Sequence, residues 1–203
     1  MIGIIDYGMG NLRSVQKALE LFGESPVITN DKEMLLKCDG IILPGVGAFP
    51  DAIDNIKSKG LDKVINDFVA AGKPLLGICL GMQLLFEESD EFRLCDGLGL
   101  LKGRVTRLTG DLKIPHMGWN DLIIKKQCKV LEGVKDGEFA YFVHSYLAVD
   151  MDEEDINAVA VYGTEIPAVV SRGNVYGTQF HPEKSGELGM KILANFVKLT
   201  RQL

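Results

Sequence analysis

The chain has 203 residues, of which 46% are hydrophobic and 25% are charged, a balance typical of a globular α/β domain with a sizeable core. Its formal net charge of −6 argues against nucleic acid and against an anionic membrane surface as partners. No apolar run approaches the ~18 residues of a membrane span. The first residues lead into a strand without a basic leader, so we expect no signal peptide and a cytoplasmic location.

The cysteines carry no metal-binding or disulfide pattern. Cys38, Cys79, Cys95 and Cys128 include no C-x-x-C pair, which argues against a zinc site. A chain without an export signal is not expected to form disulfides. We therefore expect reduced thiols, no metal and no cofactor.

The amino-terminal part alternates short apolar runs, typical of buried strands, with helical patterns. Asn11 is placed to cap the first helix. Gly8 and Gly10 imitate a dinucleotide fingerprint, but Arg13 stands where its third glycine belongs, so we reject that interpretation. The predicted elements in order are strand 2–5, helix 11–22, strand 26–28, helix 32–37, strand 40–43, and helices 51–59 and 61–71.

A glycine-rich turn, residues 44–47, directly follows the third strand. Exposed amides at the carboxyl end of a strand lie where α/β sheets bind ligands. Because sequential strands usually neighbour each other, we expect this turn to face the next strand as an oxyanion hole. The alternative is an ordinary tight turn.

One cysteine lies where a buried strand, residues 74–78, gives way to a helical pattern that begins with Leu80. Gly77 and Gly81 flank Cys79 symmetrically. A sharp strand-to-helix turn needs small neighbours, and the amides and dipole at a helix N-terminus favour a thiolate. The pattern predicts a nucleophile, whereas a lone cysteine is more often an inert core residue.

After an irregular acidic segment, residues 87–97, the pattern changes to short strands separated by turns. Their close spacing predicts antiparallel pairing, and residues 171–174 form a hairpin turn signal. An amphipathic helix over 186–201 follows, with Leu188, Ile192, Leu193 and Phe196 on its inner face. We see no linker or repeat and predict one domain over 1–203. The predicted strands are 103–108, 121–125, 139–143, 157–161, 168–171 and 175–178.

A cysteine nucleophile needs a base, and three histidines are available. Only His181 has a carboxylate two residues on, Glu183, across the rigid Pro182. Residues two apart in an extended segment share a side, so Glu183 can orient the imidazole. His144 is the second candidate, and His116 is expected to belong to a contact surface.

Six motifs together resemble the class I (triad) glutamine amidotransferases, a family marked by a G-x-C-x-G elbow and a late H-P-E. The His-Met-Gly-Trp-Asn and Gly-Met-Gly-Asn pieces indicate, more narrowly, the glutaminase subunits of histidine biosynthesis. The resemblance implies an α/β, flavodoxin-like fold with an open, mostly parallel central sheet, flanking helices and a C-terminal antiparallel portion. The six motifs are residues 5–12, 44–47, 77–83, 115–120, 143–146 and 179–185.

The resemblance also implies roles for individual residues. Cys79 would attack the side-chain amide of glutamine to form a glutamyl thioester, with His181 as the base and Glu183 as its orienting partner. The implied oxyanion hole consists of the amides of Gly45, Val46 and Leu80. The implied substrate-binding residues are Gly47, Gln83, Glu91, Ser145 and Tyr146.

A separate (β/α)8 cyclase is the implied partner, because a barrel of ~250 residues does not fit in this chain. The cyclase would use the ammonia to make imidazole glycerol phosphate and an aminoimidazole carboxamide ribonucleotide. Tryptophan and methionine are favoured interface anchors, although core packing is the alternative for Trp119. The implied interface residues are Asn11, Met117, Trp119 and Lys184.

The Gly-Val-Gly sequence at 45–47 leads to a further hypothesis: the Val46 carbonyl points inward until the partner binds its own ligand. Three other functions stay open at this point. They are an amidotransferase of another pathway, such as aminobenzoate or pyridoxal phosphate synthesis, a catalytically silent regulatory subunit, and a γ-glutamyl peptide hydrolase that acts alone.

Overall fold

The computed structural model describes residues 1–202. Within this range the strands and helices confirm the predicted α/β class. The strands are β1 Ile2–Ile5, β2 Val27–Thr29, β3 Gly40–Gly45, β4 Leu75–Cys79, β5 Glu88–Ser89, β6 Cys95–Asp96, β7 Arg104–Arg107, β8 His116–Asp121, β9 Ile123–Ile124, β10 Phe139–His144, β11 Tyr146–Val149, β12 Ile156–Tyr162, β13 Thr164–Arg172 and β14 Val175–Thr178. The helices are α1 Leu12–Glu20, α2 Lys32–Lys37, α3 Phe49–Ser58, α4 Leu61–Ala70, α5 Leu80–Gln83 and α6 Gly186–Thr200.

Eight strands form the central sheet in the order β2-β1-β3-β4-β14-β13-β12-β9. The five strands from β2 to β14 are mutually parallel, and the remaining three are antiparallel to their neighbours. Since β14 lies beside β4 and parallel to it, two segments about a hundred residues apart end at the same edge of the sheet. The sequence did not predict this pairing, because only antiparallel neighbours were expected in the carboxyl-terminal part.

Side chains alternate between the two faces of the sheet and form two hydrophobic clusters. In β3 and β4, Ile41 and Leu75 belong to the cluster beneath α2, α3 and α4, whereas Ile42 and Leu76 belong to the cluster beneath α1 and α6. Both faces are covered, which is why these strands read as continuous apolar runs.

Two smaller sheets carry strands that the sequence analysis missed. β8 pairs with β10 as a two-stranded ribbon, and β11 joins β7, β5 and β6 in a four-stranded sheet. The acidic segment 87–97 was predicted to be irregular, but it contains β5 and β6. These strands are two residues long, too short to leave a periodic signal.

The helices confirm most predicted bounds, and the structure corrects three details of the predicted elements. Asn11 precedes α1 but its side chain does not cap the helix backbone; it accepts a hydrogen bond from the Ser14 hydroxyl at 2.9 Å instead. α5 is a single turn, not the longer helix expected after Cys79. The strand at 26–28 begins one residue later, at Val27.

The carboxyl-terminal helix α6 begins and ends within one residue of its predicted bounds, and its four predicted inner-face residues are buried. The hairpin turn between β13 and β14 is also confirmed, with Arg172 opposite Val175. No helix within residues 1–202 is long and apolar enough to span a membrane. The prediction of one domain over 1–203 stays a prediction, and its last residue lies outside the described range.

Candidate active site

Cys79 is the last residue of β4 and the residue before α5. Its backbone has φ 55° and ψ −111°, a conformation that non-glycine residues rarely adopt. Such a conformation persists only where the surrounding structure enforces it. Residues held in this way are concentrated at functional sites. The side chain is 6% exposed, and this exposed part opens into a cavity.

The backbone around the two flanking glycines leaves no room for a side chain. A Cβ on Gly81 would lie 1.7 Å from the carbonyl oxygen of Leu43, and a Cβ on Gly77 would lie 2.7 Å from the carbonyl oxygen of Gly81. The turn therefore packs its own backbone against β3. This confirms the steric argument made from the G-x-C-x-G spacing.

His181 and Glu183 follow β14, the parallel neighbour of β4. The His181 Nδ1 lies 2.9 Å from the Glu183 Oε1, and both side chains are almost fully buried. The predicted contact is confirmed, but the reason given for it was wrong. Residues 182–184 form a 3₁₀ turn and not an extended segment. Because Nδ1 faces the carboxylate, Nε2 is the ring nitrogen left for the sulfur.

Burial lowers the pKa of His181, but hydrogen bonds to the Cys79 sulfur and the Glu183 carboxylate, and their charges, raise it more, to about 9. An imidazole with that pKa carries its proton at neutral pH. A one-turn helix adds little macrodipole, so the helix end contributes less at this position than the sequence led us to expect.

The turn 45–47 lies beside the cysteine, since Gly45 is the β3 residue opposite Cys79. The buried Tyr7 hydroxyl donates to the Pro44 carbonyl at 2.9 Å. A Cβ on Gly45 would lie 2.7 Å from that same hydroxyl, and Gly47 has φ +102°. Tyr7 thus packs against the turn and holds the Pro44 carbonyl in place. Both glycines are needed, the first because of crowding and the second because of its backbone conformation.

A cavity of about 360 Å³ opens in front of the cysteine. It is the right size for a small polar metabolite. Of the predicted residues, it brings together the nucleophile, the base, two of the three oxyanion-hole candidates and all five substrate-binding candidates, whereas Gly45 is not part of its wall. The lining residues are Val46, Gly47, Cys79, Leu80, Gln83, Glu91, Pro115, Val143, His144, Ser145, Tyr146, His181 and Lys184.

Glu91 supplies the buried carboxylate of this cavity. Its Oε2 accepts the backbone N–H of Phe49 at 2.8 Å. Burial raises the pKa of Glu91, opposed by that hydrogen bond, and nearby Asp51 raises it further. Because burial disfavours the ionised carboxylate, a cationic group of a ligand would stabilise it.

These features occur together with an independent match. The family described as "Glutamine amidotransferase class-I" matches residues 3–199. The chain belongs to this family.

Two curated relatives are similar over nearly the full length. The chain is 54% identical over 196 residues to "Imidazole glycerol phosphate synthase subunit HisH" of Bacillus cereus strain G9842, and 53% identical to the protein of the same name from Bacillus thuringiensis strain Al Hakam. Each alignment covers 97% of this chain and 93% of the relative.

Solved structures share the fold. A structure described as "Crystal structure of glutamine amidotransferase" superposes with a TM-score of 0.79 over 98% of both chains at 22% identity. The "Structure of PurLQS from Thermotoga maritima" superposes with a TM-score of 0.77 over 97% of both chains at 25% identity. The predicted class I glutamine amidotransferase-like fold is therefore confirmed.

His116 was expected at a contact surface, but in this amidotransferase it is 3% exposed. Its ring stacks between Phe142 and Tyr162 at centroid distances of 4.8 and 4.1 Å. The prediction was wrong because side chains alternate along β8: His116 points inward, and its neighbour Met117 points outward.

His116 and His144 form a hydrogen-bonded pair whose tautomers the surroundings define. The Tyr146 carbonyl can only accept, so His144 Nδ1 donates to it at 2.8 Å. His116 Nδ1 then donates to His144 Nε2 at 3.0 Å, and its own Nε2 accepts from Asn120 at 3.3 Å. Burial lowers the pKa of both imidazoles, that of His144 to about 4. Both rings are neutral at pH 7, so neither competes with His181 as the proton carrier.

Two of the four predicted interface residues, Met117 and Trp119, lie on the outer face of the β8–β10 ribbon. Met117 and Trp119 are 62% and 57% exposed, which rules out core packing for Trp119. Asn11 is half-buried before α1, and Lys184 is exposed at the cavity.

Sequence reasoning gave no role to Tyr7 or Gln179. Gln179 is fully buried, and its Nε2 lies 4.0 Å from the Cys79 sulfur. Both residues stand inside the motifs that carried the resemblance, at positions 5–12 and 179–185. Their place inside those motifs was the available signal, but only the fold shows what each side chain contacts.

Proposed function

We propose that this chain is the glutaminase subunit of imidazole glycerol phosphate synthase, which acts in histidine biosynthesis. It hydrolyses glutamine to glutamate and ammonia and passes the ammonia to a separate (β/α)8 cyclase subunit. One observation carries the proposal: the strained Cys79 and the buried His181–Glu183 pair share one cavity in a class I amidotransferase that is 54% identical to HisH proteins.

Acylation begins with the Cys79 thiolate, whose proton resides on His181. The sulfur attacks the side-chain carbonyl carbon of glutamine, and the oxygen takes on negative charge. The amides of Gly45, Val46 and Leu80 are proposed to stabilise this oxyanion. When the C–N bond breaks, His181 gives its proton to the departing nitrogen, which leaves as ammonia, and a glutamyl thioester remains.

Deacylation uses the same groups in reverse. His181, now neutral, takes a proton from water as the water attacks the thioester. The C–S bond breaks, glutamate leaves, and the sulfur and imidazole return to the thiolate–imidazolium pair. Glu183 holds Nδ1 throughout, so that Nε2 always faces the reacting atoms. No cofactor or metal takes part in this scheme.

Glutamine would lie with its α-ammonium group at the buried carboxylate of Glu91. Gly47, Ser145 and Tyr146 would contact the backbone end of the substrate. Gln83, one helical turn after Cys79, would hold the side-chain amide. These five roles are proposals, supported by the position of each residue on the cavity wall.

The cyclase is proposed to bind the outer face of the β8–β10 ribbon, through Met117 and Trp119, with Asn11 and Lys184 at its border. Exposed aromatic and thioether side chains are typical anchors of protein interfaces. We also infer a cytoplasmic location, because a nucleophilic thiol has to stay reduced.

We further infer that the Val46 carbonyl points into the cavity at rest and turns outward when the cyclase binds its own ligand. The flanking Gly45 and Gly47 permit such a peptide rotation. Glutaminase rates would be measured for the subunit alone, with the cyclase, and with the liganded cyclase. Equal rates in all three would defeat this inference.

The decisive experiment is Cys79→Ala in the reconstituted complex. Glutamine-dependent synthesis should fall by at least about 10³-fold, while synthesis from added ammonium should survive, since the cyclase is untouched. Cys128→Ala, a partly buried cysteine away from the cavity, is the matched control. Undiminished glutamine-dependent synthesis in Cys79→Ala would disprove the mechanism.

The other functions give different results in the same set of assays. A silent regulatory subunit would leave Cys79 unlabelled by a glutamine-mimicking diazoketone. An amidotransferase of another pathway would label but fail to bind the cyclase. A γ-glutamyl peptide hydrolase would work at full rate without any partner.

A further inference from the structure

A chain of buried side-chain amides runs behind the nucleophile. Gln179 follows β14 and is fully buried. Its Oε1 accepts from the Nε2 of Gln83 at 3.1 Å, and its own Nε2 lies 4.0 Å from the Cys79 sulfur. Gln83 also donates from Nε2 to the Tyr146 carbonyl at 2.9 Å.

The direction of these hydrogen bonds follows from one end of the chain. The carbonyl of Tyr146 can only accept, so the NH₂ group of Gln83 must face it. The second hydrogen of that NH₂ group meets Gln179, whose carbonyl oxygen must then face Gln83. The NH₂ group of Gln179 is thereby turned toward the sulfur. If the Gln179 amide were flipped, its NH₂ group would face the NH₂ group of Gln83, donor against donor, and its oxygen would point at the sulfur.

The two protonation states of Cys79 have different partners in this arrangement. A thiol can donate to the carbonyl oxygen of Val143, which lies 3.9 Å from the sulfur. A thiolate can only accept, and Gln179 offers it an N–H. Hydrogen bonds that form only to the charged state favour that state, and a donor fixed in advance favours it without reorganisation.

We propose that Gln179 is a positioning residue that donates its side-chain N–H to the anionic sulfur of Cys79, in an orientation that Gln83 transmits from the Tyr146 carbonyl. This inference rests on the proposed function in taking Cys79 as the nucleophile. It adds a second donor to the sulfur besides His181, two residues earlier on the same segment after β14.

The same arrangement restricts what Gln83 can do. Both hydrogens of its NH₂ group are used inside the protein, on Tyr146 and Gln179. Only its carbonyl oxygen is left for the cavity. Gln83 therefore meets the substrate as an acceptor and selects a ligand N–H donor at that position, such as the carboxamide NH₂ of glutamine.

Other titratable groups also surround the sulfur, and a test has to hold them constant. His181 with Glu183 faces it from the segment after β14, and the phenol of Tyr7 faces it from the segment after β1. Glu91, His144, Tyr146 and Lys184 line the cavity in front. None of these is changed by a substitution at Gln179.

The test is the pH dependence of Cys79 alkylation by iodoacetamide, followed by mass spectrometry of the Cys79 peptide, since three other cysteines are present. Gln179→Met keeps the shape of the side chain and removes the donor. We expect the midpoint to rise by about 0.5 to 1 pH unit, so that the rate below the midpoint falls about 3- to 10-fold. The rate at high pH, where all the sulfur is thiolate, should be unchanged.

Gln179→Glu adds a carboxylate next to the sulfur and should raise the midpoint by more than one unit, because like charges disfavour ionisation. Gln83→Met, which frees the Gln179 amide to rotate, should shift it in the same direction by less. Gln127→Glu, an exposed position outside the cavity, should not shift it and controls for added charge. Unfolding midpoints measured in parallel verify that each variant is folded.

Identical alkylation profiles for wild type, Gln179→Met and Gln179→Glu would overturn the proposal, and so would a change confined to the high-pH plateau, which indicates altered access. No glutamine enters this assay. A wild-type protein that fails to hydrolyse glutamine with its partner would therefore refute the proposed function without deciding the role of Gln179.

Discussion

The turn between β4 and α5 and the ribbon of β8 and β10 border the same cavity, yet they differ in what holds them. The turn is crowded: a single added carbon at Gly81 would lie within 1.7 Å of the β3 backbone. The ribbon pairs only with itself, and its outer face exposes Met117, Trp119 and Phe139 to solvent.

This difference separates two tasks. A strained nucleophile keeps its conformation only where the surrounding backbone enforces it. A docking surface has to stay accessible, so its apolar side chains remain uncovered until a partner arrives. The inner face of the ribbon joins the two regions, because His144, opposite His116, reaches the cavity wall from there.

The largest expected effect comes from a substitution that disrupts the turn. Gly81→Ala should lower the free energy of unfolding by about 3 kcal/mol or more, since the added Cβ meets backbone and not a flexible side chain. Gly173→Ala, in a hairpin turn with φ +59° and open space around it, should lose only about 1 kcal/mol. Urea unfolding measures both. Equal losses would mean that conformation, rather than crowding, makes Gly81 necessary.

The second prediction compares His144 of the ribbon with His181, which faces Cys79 of the turn, by the pH dependence of stability. The pKa of His144 is about 4 in the folded protein and about 6.5 when unfolded. The unfolded state therefore binds a proton first as the pH falls. His144 should remove stability between pH 6.5 and 4, by ~1.4 kcal/mol per unit and roughly 3 kcal/mol in all.

His181 should act with the opposite sign. Its folded pKa of about 9 exceeds the unfolded value, so the stability it contributes is fully present below pH 6.5 and is lost as the pH rises to 9. Unfolding curves across pH 4 to 9 for His144→Asn and His181→Asn test both slopes. The acid slope should lessen only in the first variant and the alkaline slope only in the second. Slopes parallel to wild type would contradict the assignment.

The third prediction concerns the outer face of the ribbon. Trp119→Ala should weaken the cyclase complex about 10- to 100-fold, as the loss of an interface anchor does, and should change the free energy of unfolding by less than about 1 kcal/mol. Leu21→Ala, at an exposed position past the far end of α1, is the matched control. Titration calorimetry with the cyclase measures the affinity, and an unchanged affinity would exclude this face.

The smallest expected effect compares Asn11, which is proposed to contact the cyclase, with Asp31, which caps a helix. The Asn11 side chain makes no hydrogen bond to the α1 backbone, whereas Asp31 accepts the Met34 N–H at 2.7 Å as the cap of α2. Asp31→Ala should lower the free energy of unfolding by about 1 kcal/mol, and Asn11→Ala by less than about 0.5 kcal/mol. Thermal unfolding of the two variants, each measured without the cyclase, tests this. A larger loss in Asn11→Ala than in Asp31→Ala would assign Asn11 to folding.

Local patterns predicted what depends on neighbouring residues. The elbow could be recognised because its glycines are needed by the backbone within two residues of Cys79. The inner face of α6 could be recognised because apolar side chains repeat at helical spacing. β5 and β6 were missed because strands of two residues carry too little pattern.

By itself the sequence determined the α/β class and the local pattern that predicts a cysteine nucleophile with a histidine and a carboxylate, since each leaves a mark at short range. Only the tertiary structure decided that β14 lies beside β4, that His116 points inward, and that Gln179 and Tyr7 stand behind the reacting groups. The physical reason is that these relations join residues far apart in the chain. The packing of the sheet and the need to satisfy buried polar groups establish them, and no local spacing records either.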